Sequence, residues 1–302
     1  MTTARPNFFI VGAPKCGTTA LHSALSDHPE IFLSPNKEPH FFARDLRVGS
    51  GWCVRDEADY LGLFSERVSE TQIGEASPWY LFSKTAAQEI HDFQPNAKIL
   101  ILLRDPVDLI HSVHLQHLNT ANEDLMHLHD ALAAEAERAR GERIPARAPF
   151  PDCLAYRSIG RLTEQVNRYL ELFGAQQVKV LLLDDLRADE RSYLHDVCHF
   201  LGVDEKVELT FGRRNPSRDL TAVDLMLKRL HYKTRFIPNL QRRIPKAIKA
   251  IYRNAVRVLP AARPTGISNE LYTELADELR GDVAQLAELI GRDLSAWCQK
   301  RT

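Results

Sequence analysis

The segment Phe8–Thr19, FFIVGAPKCGTT, constrains this chain more than any other. Phe8–Val11 is an apolar run of aromatic and β-branched residues, the composition of a strand covered on both faces. Gly12 and Gly17 bracket a turn, and Thr18 and Thr19 open a helical pattern with Leu21 and Leu25. A strand, a glycine-bounded turn and a helix N-terminus together make an anion site. Backbone N–H groups point into the loop, and the helix dipole adds partial positive charge. The first strand-to-helix connection is therefore expected to hold a phosphate-like group.

Gly12 and Gly17 have the spacing of the nucleotide-binding loop G-x-x-x-x-G-K-[ST]. The position that should be lysine is Thr18, and the lysine of the loop is Lys15, three residues early. In ATPases and kinases the lysine reaches the β/γ-phosphates and the next hydroxyl holds Mg²⁺. Here no Lys-Ser/Thr pair follows the loop, which argues against a standard triphosphatase or a small-molecule kinase, the first alternative. A non-catalytic nucleotide- or membrane-binding protein is the second.

Along the rest of the chain, strand-like runs alternate with helical patterns, the order of βαβ units around a parallel sheet. Strands are predicted over Phe8–Val11, Ile31–Leu33, Gln72–Glu75, Lys98–Leu103 and Val178–Leu183. Helices are predicted over Thr18–Asp27, Lys84–Phe93, Pro106–Leu118, Asp124–Arg140, Ile159–Phe173 and Ser192–Leu201. A helical C-terminal part follows, with segments at Ala222–His231, Ile244–Val258 and Asn269–Ile290. The expected fold is α/β: a parallel central sheet flanked by helices, P-loop-like, with a helical C-terminal cap. It is read as one domain over 1–302, with the core to about 215 and the helical part over about 216–302. The Arg/Pro-rich stretch Arg138–Asp152 lacks periodicity and is expected to be a mobile surface loop.

The apolar and charged fractions of 44% and 26% are those of a soluble globular chain. No apolar run approaches the roughly 20 residues that span a bilayer, and the N-terminus shows no signal-peptide pattern. The five cysteines are scattered without a C-x-x-C pair, which suits a reducing compartment. A cytoplasmic protein is expected. The net charge of −1 conceals a segregation: eleven cations from Lys228 to Arg263 without one acidic residue. That stretch is compatible with an anionic or membrane-surface partner, or with a solvated helical face. Nucleic acid is not implied.

Several segments carry a family resemblance. Pro14–Thr19, PKCGTT, resembles the 5′-phosphosulfate loop of sulfotransferases that use 3′-phosphoadenosine 5′-phosphosulfate (PAPS). Ile99–His117 is similar to their 3′-phosphate motif, in which an Arg after a strand is followed eight residues on by a Ser, here Arg104 and Ser112. KEPHFF at Lys37–Phe42 and GEASPWYL at Gly74–Leu81 resemble the carbohydrate, heparan-sulfate-type enzymes and their bacterial relatives.

The resemblance implies a PAPS-dependent sulfotransferase acting on a hydroxyl of a glycan, glycolipid or small metabolite. Sulfuryl transfer needs an aligned oxygen nucleophile, a base for its proton, and neutralisation of the leaving phosphate. Lys15 is the expected leaving-group cation. Cys16, Gly17, Thr18 and Thr19 would supply backbone and hydroxyl donors to the 5′-phosphate. Arg104 and Ser112 would hold the 3′-phosphate, through a guanidinium fork suited to that group; a salt bridge to Asp105 or Asp108 is the other role open to Arg104. Tyr156 opens YRSIG, which looks like the family's segment near the nucleotide. Arg213 and Arg214 lie where a second 3′-phosphate loop is usual, although the family's Lys-Gly pattern is missing. Glu38 matches the position of the heparan-type general base. His40 competes for that role, since imidazole titrates near neutrality, and both are expected at the acceptor. Glu75 is expected to orient the acceptor or to tie down Lys15 or a backbone amide. Heparan-type enzymes often have a Lys after the matching Glu, where this chain has Ala76. The spacing of His111, His114 and His117 completes no familiar ligand set, and no metal is expected.

Overall fold

The computed structural model describes residues 5–46, 53–212 and 266–299. Five strands form one sheet: β1 (Phe8–Gly12), β2 (Ile31–Leu33), β3 (Gln72–Ala76), β4 (Lys98–Leu103) and β5 (Val178–Leu182). Their order is β2-β3-β1-β4-β5, and every pairing is parallel. The central strands have no polar face because both faces are covered. All five residues of β1 are buried, as are Ile99–Leu103 of β4. This is the continuous apolar reading of a parallel sheet rather than an alternating one.

The helices are α1 (Thr18–Leu25), α2 (Glu57–Gly62), α3 (Ala86–Phe93), α4 (Pro106–Thr120), α5 (Leu128–Ala133), α6 (Glu135–Ala139), α7 (Tyr156–Gly160), α8 (Leu162–Phe173), α9 (Leu183–Ala188), α10 (Glu190–Leu201) and α11 (Asn269–Ile290). Among the described residues no helix is long and apolar enough to cross a membrane. The chain moves from β1 outward to β2 and β3, then crosses to β4 and β5 on the other side. The switch point therefore lies between β1 and β4. In open parallel sheets the crevice outside the carboxyl ends of strands at such a point is where ligands bind.

Four expectations need correction. The helix expected over Asp124–Arg140 is two short ones, α5 and α6, because its ends are drawn together. Arg138 donates to Glu123 Oε2 at 2.8 Å and to Glu123 Oε1 at 2.7 Å, in a buried pair. The helix expected over Ile159–Phe173 is broken at the extended residue Arg161, where Asp282 of α11 accepts from the Leu162 N–H at 2.8 Å. Arg138–Asp152 is not wholly a surface loop. Arg138 and Phe150 are buried, and Pro151–Leu154 forms a 3₁₀ turn. Finally, Leu183 opens α9 rather than closing β5. The segments Ala222–His231 and Ile244–Val258, and the basic run 228–263, lie outside the described residues.

Candidate functional site

The loop after β1 is built by close backbone contact. The Ala13 N–H donates to Leu102 O of β4 at 2.6 Å. A Cβ on Gly12 would stand 2.7 Å from Pro78 O and 2.6 Å from Leu81 Cβ, so only glycine lets the segment after β3 close over the loop. Gly17 then caps α1 with a φ of 95° and no side-chain hydrogen bond. The first turn of α1 holds no acidic residue. Its leading N–H groups are left for a ligand, the arrangement that binds phosphate.

Cys16 is buried, and burial pushes its thiol up to about 12. Its N–H, expected to serve the 5′-phosphate, donates within the loop to Ala13 O at 3.3 Å. Thr18 is buried and Thr19 exposed. Lys15, at a φ of 62°, donates Nζ to Gln116 Oε1 at 2.8 Å. Its pKa is lowered, first by burial and then by the Arg104 guanidinium, while Cys16 and Glu38 pull it back up.

Arg104 follows β4 directly. Asp105 caps α4 by accepting from the Val107 and Asp108 N–H groups at 2.8 and 3.1 Å. Arg104 Nη1 donates to Lys15 O at 3.3 Å, and Nη2 donates to Asp108 at 3.3 Å. Its Nε is buried without a hydrogen-bond partner among the described residues. An orphaned guanidinium N–H costs free energy unless something accepts from it. Arg104 and the loop are thus tied together at the switch point, with a donor to spare. Ser112 stands eight residues on, half-buried on α4.

Glu38 and His40 lie on the loop after β2. Glu38 accepts from Lys37 Nζ at 2.7 Å, and its Oε2 stands 3.6 Å from His40 Nε2. Burial works to raise the Glu38 carboxyl, but His40 and Lys37 outweigh it and hold the group down at about 2. The His40 pKa is lowered, chiefly by burial. The Glu38 side chain is 37% exposed and that of His40 only 1%, so Glu38 alone of the two is open to an incoming hydroxyl.

Two expected site residues face inward instead. Glu75 is fully buried and accepts from Tyr60, Tyr80 and Ser77. Among the described residues its hydrogen bonds run to these three hydroxyls and to neither Lys15 nor a backbone amide. Burial pushes its carboxyl up to about 7, against those three donors. Tyr156 is also fully buried, and its hydroxyl donates to Glu123 at 2.8 Å. Its polar atom is committed to the Glu123–Arg138 pair, not to a nucleotide. Arg213 and Arg214 lie outside the described residues. Of the two salt bridges open to Arg104 from the sequence, to Asp105 or to Asp108, the one to Asp108 is formed, at 3.3 Å. Gln116 was not singled out from the sequence; it sits one helical turn beyond Ser112, and that spacing was the available signal.

A glycine-bounded anion loop, an arginine at the switch point and an acidic loop beside them on a five-stranded parallel sheet define the class. The chain belongs to the sulfotransferase domain family, which matches residues 5–214. Human carbohydrate sulfotransferase 15 is 28% identical over 251 residues, covering 66% of this chain and 44% of that protein. Mouse heparan sulfate glucosamine 3-O-sulfotransferase 6 is 32% identical over 114 residues, covering 38% of this chain and 31% of that protein. The chain thus spans less than half the length of these relatives. Among solved structures, a sulfotransferase from Alicyclobacillus acidocaldarius is 33% identical with a TM-score of 0.73, covering 98% of this chain and 100% of that one.

Proposed function

We propose that this protein transfers a sulfuryl group from PAPS to a hydroxyl of a glycan, glycolipid or small metabolite. The observation that carries the reading is the crevice between β1 and β4. There the uncapped start of α1, Lys15, and Arg104 with its unpartnered Nε converge, and the ionised Glu38 lies near enough to act on the Lys15 charge. The cradle suits a nucleotide with phosphates at both its 5′ and 3′ positions. Donors of the loop and α1 fit the first, and Arg104 with Ser112 fits the second. The names of the relatives favour a carbohydrate hydroxyl as acceptor.

PAPS, when bound, supplies the electrophilic sulfur and the leaving phosphate. Glu38 takes the proton of the acceptor hydroxyl as its oxygen bonds to sulfur. Lys15 and the amides of the loop neutralise charge on the phosphate oxygen that sulfur leaves. His40, buried against Glu38, holds that carboxylate ionised rather than meeting the acceptor. We propose that no divalent cation is needed, because the sulfuryl group carries less charge than a γ-phosphoryl group and Thr18 stands in place of the loop lysine. The five unpaired cysteines favour a reducing compartment, the cytoplasm, as the place of action.

The test is transfer of label from radiolabelled PAPS to a panel of glycosaminoglycan oligosaccharides, with EDTA present. Labelled product is expected. Label that moves only from ATP with Mg²⁺ would contradict the reading.

A further inference from the structure

The loop that carries Glu38 and His40 needs an external hold. Both residues sit at left-handed φ values, 65° and 48°, which non-glycine residues seldom occupy. The backbone donors of the loop show where the hold comes from. The Glu38 N–H donates to Ala76 O at 3.0 Å. The His40 N–H donates to Ser77 Oγ at 3.1 Å, and the Phe42 N–H to Tyr80 Oη at 3.3 Å. Both hydroxyls pass their own proton to one carboxyl. Ser77 Oγ donates to Glu75 Oε2 at 3.0 Å, and Tyr80 Oη to Glu75 Oε1 at 2.8 Å. Tyr60 Oη of α2 adds a third donor to Oε1 at 3.0 Å. Glu75, Ser77, Tyr60 and Tyr80 are all fully buried.

In its ionised form, which its three hydroxyl donors favour against burial, the Glu75 carboxylate accepts hydrogen bonds and cannot donate them. In that form the Ser77 and Tyr80 hydroxyls each give their single proton to Glu75 and keep their lone pairs for the loop amides. We infer that Glu75 is a positioning residue for sulfuryl transfer: through Ser77 and Tyr80 it fixes the direction of two hydrogen-bond relays that hold residues 38–42 in the conformation presenting Glu38. This inference rests on the reading of Glu38 as the base. Glu75 reaches the chemistry only through the loop. A glutamine in its place keeps the shape but brings an N–H₂ donor, so the hydroxyl it faces must turn its proton away from residue 75, toward the side on which the loop amide donates.

The experiment is amide hydrogen exchange on the full chain, read beside turnover with radiolabelled PAPS and heparan sulfate and beside PAP affinity. In Glu75→Gln and in Ser77→Ala, the His40 amide should exchange roughly tenfold faster or more while β1 and β4 amides keep their rates. Turnover should fall by roughly tenfold in each, with PAP affinity within about a factor of two. The double variant should be no worse than the poorer single one, because both substitutions cut the same relay. Ser77→Thr, which restores a hydroxyl, should recover the protection. Unchanged His40 exchange in both single variants, or additive losses in the double, would overturn the inference. Should Glu75→Gln fail to fold, the Ser77→Ala and Ser77→Thr pair decides the matter alone. Glu38→Gln separates the two claims. If it retains turnover, the base assignment fails, while the exchange rates still decide the positioning claim.

Discussion

In the proposed reaction Lys15 and Glu38 divide the chemistry, and their surroundings favour that division. Lys15 is held toward α4 by Gln116 at 2.8 Å, with its pKa lowered by burial and by Arg104. Such a cation gains most when negative charge develops beside it. Lys15→Ala is therefore expected to lower turnover far more than it weakens PAP binding, measured by steady-state kinetics and calorimetry. Near-normal turnover would remove Lys15 from the mechanism. Glu38→Gln keeps shape and loses proton acceptance. Turnover should drop by roughly 10²-fold or more while PAP affinity is kept. If His40→Ala does this and Glu38→Gln does not, the roles exchange, despite the burial of His40. The sequence placed these two residues together, but spacing could not rank them. Their ranking comes from exposure, 37% for the Glu38 side chain against 1% for that of His40.

At the scale of the element, α4 carries several residues of the candidate site. Arg104 precedes it, Asp105 caps it, Ser112 and Gln116 stand one turn apart on it, and His117 is the next residue. Arg104→Ala and Ser112→Ala should weaken PAP much more than adenosine 5′-phosphosulfate, which lacks the 3′-phosphate. The Arg104 loss should be on the order of 2 kcal/mol, that of a charged hydrogen bond left unmade. Equal losses for the two nucleotides would show a different role. His117 gives α4 a pH dependence of its own. Burial holds its imidazole down at about 4, against an ordinary 6.5. The unfolded chain binds a proton near 6.5 that the folded chain refuses until about 4, so stability is full above that window and is lost as pH falls through it. Glu75 contributes the opposite slope, since its pKa is raised. Comparing wild type with His117→Asn isolates the one group. Urea denaturation at about pH 7 and about pH 5 should show a smaller acid loss in the variant. All five strands, and the helices that follow the first and fourth, were legible from apolar runs and from Gly17 and Pro106. What was not legible depended on side-chain partners that no periodicity marks. Arg138 closes on Glu123, and Asp282 caps α8 from more than a hundred residues away. The same holds for Glu75 and Tyr156, whose inward orientation is set by hydroxyl and carboxyl partners that local patterning cannot reveal.

Across the whole molecule, α11 and the residues after it tie the start of α4 to α9. Its Leu275, Leu279 and Leu286 are fully buried. Tyr272 Oη and the Cys298 N–H both donate to Asp105 Oδ2, at 3.3 and 2.8 Å. Trp297 Nε1 donates to Asp184 of α9 at 2.8 Å. The carboxylate that caps α4 behind Arg104 is thus also the anchor of the C-terminal part. Leu275→Ala should cost about 2–5 kcal/mol of stability by urea denaturation, the range for truncating a buried leucine. A loss near zero would mean that α11 is not part of the core. The central claim is that the crevice between β1 and β4 is built for a nucleotide with a 3′-phosphate rather than for a triphosphate. Thermal denaturation with PAP, ATP–Mg²⁺ or AMP at equal concentration tests it most directly, because a ligand of the native state raises the unfolding temperature with its affinity. PAP should raise it clearly more than the other two, and that advantage should vanish in Arg104→Ala. A larger rise with ATP–Mg²⁺, or an equal rise with all three, would contradict the account.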